Sequence, residues 1–139
     1  MSVLIQDIMI ANPLVITPKM KLWEVAELFL AKKISGAPIA DESGHVISIM
    51  GQGALLRVLV QEGMDATVAH CMPHLTATKD LITLKREDSL KDAYQLFIKH
   101  DIHRIPITDA SRKLLGMVSR GAVLRMIVEA HYGKKVNVA

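Results

Sequence analysis

LWEVAELFLAKKISGAPIADESGHVISIMGQGALLRVLV (residues 22–60) and LKDAYQLFIKHDIHRIPITDASRKLLGMVSRGAVLRMIV (residues 90–128) are one segment present twice. The copies superimpose without a gap at a constant offset of 68 residues, and 13 of the 39 positions are identical. Among the identities are Leu28/Leu96, Phe29/Phe97, Pro38/Pro106, Ile39/Ile107, Gly53/Gly121 and Arg57/Arg125. Such agreement marks a duplicated supersecondary unit. With two copies only, each needs the other to cover its apolar surface. The cleft between them is then the expected place for a ligand.

Each copy reads as strand, helix, strand, strand, helix. In the first, residues 14–17 form a β-rich run that ends at Pro18, which has no N–H for a ladder. Residues 22–32 carry apolar side chains at helical spacing, and Ser35-Gly36 ends that stripe. Residues 37–40 and 46–50 are short apolar strands around the polar turn Asp41-Glu42-Ser43-Gly44. Gly51-Gln52-Gly53 then opens a helix to residue 61. The second copy repeats this order. Its strands are 81–84, 105–107 and 114–118, and its helices are 90–100, capped by Asp88 or Ser89, and 119–131. The expected organisation is motif 1 over 1–61, a linker and lead-in over 62–80, motif 2 over 81–132 and a flexible tail over 133–139.

Composition narrows the function classes. At 139 residues the chain suits one compact body, and with half its residues apolar but only 4% aromatic its core is mostly aliphatic. The longest uncharged stretch, 43–56, is shorter than the roughly 20 residues of a membrane span. No basic segment followed by an apolar run opens the chain, so no secretory leader is expected. The single cysteine, Cys71, rules out an internal disulfide and suits a reducing compartment; a cytoplasmic protein is expected. The net charge of +3 comes from scattered pairs such as Lys32-Lys33 and Lys134-Lys135, a pattern that points away from nucleic acid. His70-Cys71-Met72-Pro73-His74 lacks the paired spacing of a zinc ligand set, so no metal is expected. No hydroxyl or thiol has an identifiable base and orienter, so no catalytic residues are assigned and the chain is not expected to be an enzyme.

The β-α-β-β-α unit, its Pro between apolar residues and the run Leu115-Gly116-Met117-Val118-Ser119-Arg120-Gly121 resemble the cystathionine β-synthase (CBS) motif. Two copies in tandem resemble a Bateman module. The lead-ins Ile5-Gln6-Asp7-Ile8-Met9 and Val68-Ala69-His70-Cys71-Met72 resemble the short segment that precedes each motif in the family. The implied fold is α/β (α+β), with two CBS motifs packed by pseudo-two-fold symmetry into one stand-alone module.

The resemblance also implies an adenine nucleotide (AMP, ADP or ATP) between the motifs, with no other cofactor. Asp101-Ile102-His103-Arg104-Ile105-Pro106-Ile107 resembles a His-Arg segment that contacts phosphate in nucleotide-binding members. Arg104 offers a planar fork of donors and His103 a donor whose charge follows pH. Ser119 matches the family's Ser/Thr position, Arg120 adds charge, and Thr83 stands where the first strand touches ligand. In motif 1 the lining is Thr17, Ser35, Gly36, Ala37, Pro38 and Gly51. Where the family carries a ribose-binding Asp, this chain has Ala54 and Ala122. The ligand is therefore held in another way, or ligand binding has been lost. The expected function is a regulatory module that senses an adenine nucleotide or related phosphorylated molecule, forms a homodimer and signals to an effector protein. The alternative is a ligand-free dimerisation or interaction scaffold.

Overall fold

The computed structural model describes residues 3–133, so the expected tail lies outside the described residues apart from Gly133. The elements in chain order are β1 (Ile10–Ala11), α1 (Leu22–Lys32), β2 (Gly36–Ala40), β3 (Val46–Gly51), α2 (Gln52–Glu62), α3 (Val68–Cys71), α4 (Leu90–Lys99), β4 (Arg104–Thr108), β5 (Leu114–Ser119) and α5 (Arg120–Tyr132). Every helix and strand expected inside the two repeated segments is present, with ends shifted by one or two residues. The expected strands 14–17 and 81–84 shrink to a single bridging residue each, Ile16 paired in parallel with Ile39 and Leu84 with Ile107.

These two bridges are the same interaction 68 residues apart. Ile16 N–H donates to the Pro38 carbonyl at 2.9 Å and Ala40 N–H donates to the Ile16 carbonyl at 3.0 Å. Leu84 N–H donates to the Pro106 carbonyl at 3.1 Å and Thr108 N–H to the Leu84 carbonyl at 2.9 Å. The prolines are tolerated because this pairing draws on their carbonyls and on the N–H two residues later.

The chain folds into two compact units, and the division does not follow the order of the sequence. One unit gathers 13–81 with 111–114; the other gathers 3–12, 82–110 and 115–133. The lead-ins are crossed. Residues 3–12 precede the first repeat yet pack in the unit of the second: Leu90 N–H donates to the Val3 carbonyl at 2.9 Å, and β1 pairs antiparallel with β5 through Ile10–Met117 and Ala11–Gly116. Residues 62–80, read as linker, carry α3 into the unit of the first repeat, where Leu22 N–H donates to the Ala66 carbonyl at 2.9 Å.

Each unit has its own aliphatic core. Ile16, Val25, Ala37, Ile39, Met50 and Leu55 form one, completed by Val68 and Cys71 of the second lead-in. Their equivalents Leu84, Ala93, Ile105, Ile107, Val118 and Val123 form the other, completed by Ile5 of the first lead-in. Val25 and Ala37 of the first repeat correspond to Ala93 and Ile105 of the second, so large and small residues exchange places and neither core gains both large ones. Burying one such side chain fully stabilises by about 1.5–3 kcal/mol.

Candidate anion site at the start of the last helix

Each repeat ties the residue before its middle strand to the first residue of its last helix through the same backbone bond. Gln52 N–H donates to the Ser35 carbonyl at 2.9 Å, and Arg120 N–H donates to the His103 carbonyl at 3.1 Å. This bond brings the residue pair that opens the central strand to the first turn of the helix. In the first repeat it gathers Ser35, Gly36, Gly51 and Gln52, with Gly36 and Gly51 opposite each other in the β2–β3 register. In the second it gathers His103, Arg104, Ser119 and Arg120.

The second cluster is basic and organised. Ser119 is the N-cap of α5, and its Oγ accepts from Ala122 N–H at 3.1 Å. The Arg120 guanidinium lies 2.8 Å from His103 Nδ1. Arginine can only donate, so Nδ1 takes the acceptor role in this contact. The sequence presents His103 as a phosphate donor; the fold engages its Nδ1 with Arg120. Burial, and then the neighbouring charge of Arg120, lower the proton affinity of Arg104, which stays cationic at neutral pH. Two guanidinium groups thus stand close together beside the N–H-rich end of a 13-residue helix.

The remaining expected residues separate into two sets. Ala37, Pro38, Ile105 and Pro106 are buried, and Ala37 and Ile105 belong to the cores, so their side chains are committed to packing. Thr83, Ile102, Ala54 and Ala122 are half-buried, while Thr17 and Ser35 are exposed. Ala122 sits at the third position of α5, where its N–H is already capped. Sequence reasoning missed an apolar groove of about 640 Å³ that Arg120 shares with Tyr94, Phe97, Ile98, Leu124 and Ile127 on α4 and α5. The signal was present as Ile98, Leu124 and Ile127, which lie on the outer faces of their helices; the structure leaves them 80%, 64% and 41% exposed.

The histidine-cysteine cluster resolves into packing and surface ion pairs. His70 Nε2 and His74 Nε2 lie 3.1 and 3.4 Å from the two carboxylate oxygens of Glu62. Cys71 is fully buried, and burial followed by the charge of Glu62 raises its thiol pKa. Among the described residues no group of three or more His, Cys, Asp or Glu is placed to hold a metal ion, and no helix is long and apolar enough to cross a membrane.

A family model for the CBS domain matches residues 5–61 and 74–129. The chain belongs to the CBS domain family. It carries the domain twice, in tandem. An uncharacterized protein of Methanocaldococcus jannaschii is 26% identical over 154 residues, spanning 90% of this chain and 91% of that protein. The homoserine O-acetyltransferase of Methanocorpusculum labreanum is 31% identical over 115 residues, which span 83% of this chain and only 22% of the enzyme. The inosine-5'-monophosphate dehydrogenase of Aquifex aeolicus is 30% identical, again across 22% of its length. Among solved structures, CBSX2 of Arabidopsis thaliana in complex with AMP has a TM-score of 0.79 at 23% identity, covering 93% of this chain and 98% of that one. The CBS domain pair of protein MJ0100 in complex with 5'-methylthioadenosine and S-adenosyl-L-methionine has a TM-score of 0.80 at 21% identity, with the same coverage. These likenesses show the fold as that of a CBS domain pair.

Proposed function

We propose that this chain is a regulatory CBS pair that binds a phosphate-bearing adenine nucleotide, AMP in the simplest case, at the basic cluster of His103, Arg104, Ser119 and Arg120. One observation carries the reading. Half-burial first, and then the charge of Arg120, disfavour the charge on Arg104. An anion bound there offsets that cost and gains charge-assisted hydrogen bonds. The complex of CBSX2 with AMP and the adenosyl ligands of the MJ0100 pair support an adenine-containing ligand. The chain performs no chemistry of its own in this reading. Ligand binding shifts its conformational population, and an effector protein reads the shift.

The apolar helix faces complete the proposal. Leu30, Leu56 and Val60 on α1 and α2 are 75%, 64% and 79% exposed, and Ile98 and Leu124 repeat the pattern on α4 and α5. Exposed apolar side chains on these helices need a cover, and a second copy of the chain provides a self-complementary one.

Calorimetric titration of the full chain with AMP, ADP, ATP and neutral adenosine tests the ligand. Binding of the nucleotides but not of adenosine is expected; absence of heat with all three nucleotides at millimolar concentration rejects the reading. Ala54 and Ala122 favour a second reading, a ligand-free scaffold, because neither repeat offers a carboxylate to a ribose diol. Ala122→Asp separates the two: a gain of ~1–3 kcal/mol in AMP affinity supports a nucleotide site lacking one contact. No gain in a folded variant favours the scaffold.

A further inference from the structure

The exposed stripes of the two helix pairs carry opposite charges. On α1, Trp23, Glu27 and Leu30 follow one another at helical spacing, and all three are exposed. The repeat offset maps them onto Lys91, Gln95 and Ile98 of α4, with Lys99 beside Ile98 in place of Ala31. The first stripe therefore holds an acid between two large apolar side chains, and the second an apolar residue flanked by bases. The neighbouring helices α2 and α5 do not cancel this difference, because each carries an exposed arginine at the same place, Arg57 or Arg125. The side chains of Glu27, Lys99 and Arg125 have no hydrogen-bond or ion-pair partner among the described residues. Shape differs as well as charge. The α4–α5 face holds the apolar groove of about 640 Å³, while α1 and α2 present Leu30, Leu56 and Val60 as projecting side chains.

We infer that two copies of this chain pair unlike faces, the α1–α2 face of one against the α4–α5 face of the other. Pairing like faces sets Glu27 against its own copy, and Lys99 and Arg125 against theirs; like charges brought together at an interface oppose association. Pairing unlike faces sets Glu27 against those bases and gives the projecting leucines a groove to fill. A two-fold axis then makes the contact twice, once in each direction. This inference rests on the second-copy cover proposed above and adds which face meets which.

Cys71 is fully buried, so cysteines placed on the helix faces report contacts by themselves. Full chains carrying Leu56→Cys or Leu124→Cys, both at exposed positions, are treated with a short bismaleimide, each alone and as an equilibrated mixture. The mixture should give a covalent dimer on a denaturing gel, and neither variant alone should. In sedimentation equilibrium, Glu27→Lys should weaken association about two- to thirtyfold, since an exposed ion pair contributes little and the dimer makes the contact twice. Adding Lys99→Glu to the same chain should restore it. Three results overturn the inference alone: a covalent dimer from either variant by itself, a mixture that gives none although the chains associate, or association unmoved by Glu27→Lys. A parent chain that stays monomeric at tens of micromolar overturns the second-copy proposal and this inference with it.

Discussion

In the proposed reading Arg104 is the side chain on which ligand binding turns. Its guanidinium is partly desolvated, and this burial, followed by the charge of Arg120, lowers its pKa. Arg104→Met keeps the apolar stem in place and removes the charge. We expect it to weaken AMP about tenfold to a hundredfold, or ~1.5–3 kcal/mol, in calorimetry on a variant whose melting point is not lowered. A different kind of charge effect sits at the start of α4. Ser89 N–H donates to Asp92 Oδ2 at 2.9 Å and Asp92 N–H donates to Ser89 Oγ at 3.1 Å, a reciprocal cap. The bonds from Ser89, its backbone N–H first, lower the pKa of Asp92. A carboxyl whose folded pKa is depressed adds stability that is present above its unfolded value, near ~3.9, and is lost as pH falls through the folded value. Asp41 behaves alike, its pKa lowered most by the His45 backbone N–H. Thermal melts should therefore show Asp92→Asn below the parent at neutral pH, with the gap closing as pH falls through the depressed pKa of Asp92. A gap that stays constant with pH would remove Asp92 from this account.

Among the elements, the lead-ins decide which residues make which core. Ile5 has no exposed surface and belongs with Leu84, Ile105 and Ile107 of the second repeat. Val68 takes the equivalent place beside Ile16 and Ile39 of the first. Gly116 lies under β1 because only a residue without a Cβ admits the Ile10 carbonyl there. Ile5→Ala should cost about 2–4 kcal/mol in denaturant unfolding, the usual penalty for truncating a fully buried aliphatic side chain. The change lies far in sequence from the second repeat, yet hydrogen exchange should speed up at β4 and β5 before β2 and β3. Loss of protection confined to β2 and β3 would contradict the crossed assignment.

For the molecule as a whole, the unsatisfied feature is the repeated apolar face. Leu30, Leu56, Val60, Ile98 and Leu124 are each at least 64% exposed. A monomer in water rarely keeps such rows uncovered. Light scattering at tens of micromolar should give twice the chain mass, and Leu56→Asp with Leu124→Asp should halve it while leaving the circular dichroism unchanged. A monomeric parent chain would reject the second-copy proposal and leave the helix faces to the effector.

The sequence by itself determined the duplication, the order of elements within each repeat and the family. These are written in periodicity, in turn residues and in identities at a constant offset, all local or self-referential signals. It also brought His103, Arg104, Ser119 and Arg120 forward as a group, because residue types in a motif survive the loss of geometry. Only the tertiary structure decided that residues 3–12 complete the second core and α3 the first, since an apolar residue such as Ile5 or Val68 carries no mark of its partner. The structure alone set Ile105 and Ala37 into the cores and turned His103 Nδ1 toward Arg120. Each of those outcomes depends on which atoms approach across dozens of residues, and pairwise distance is the one quantity that a linear pattern does not contain.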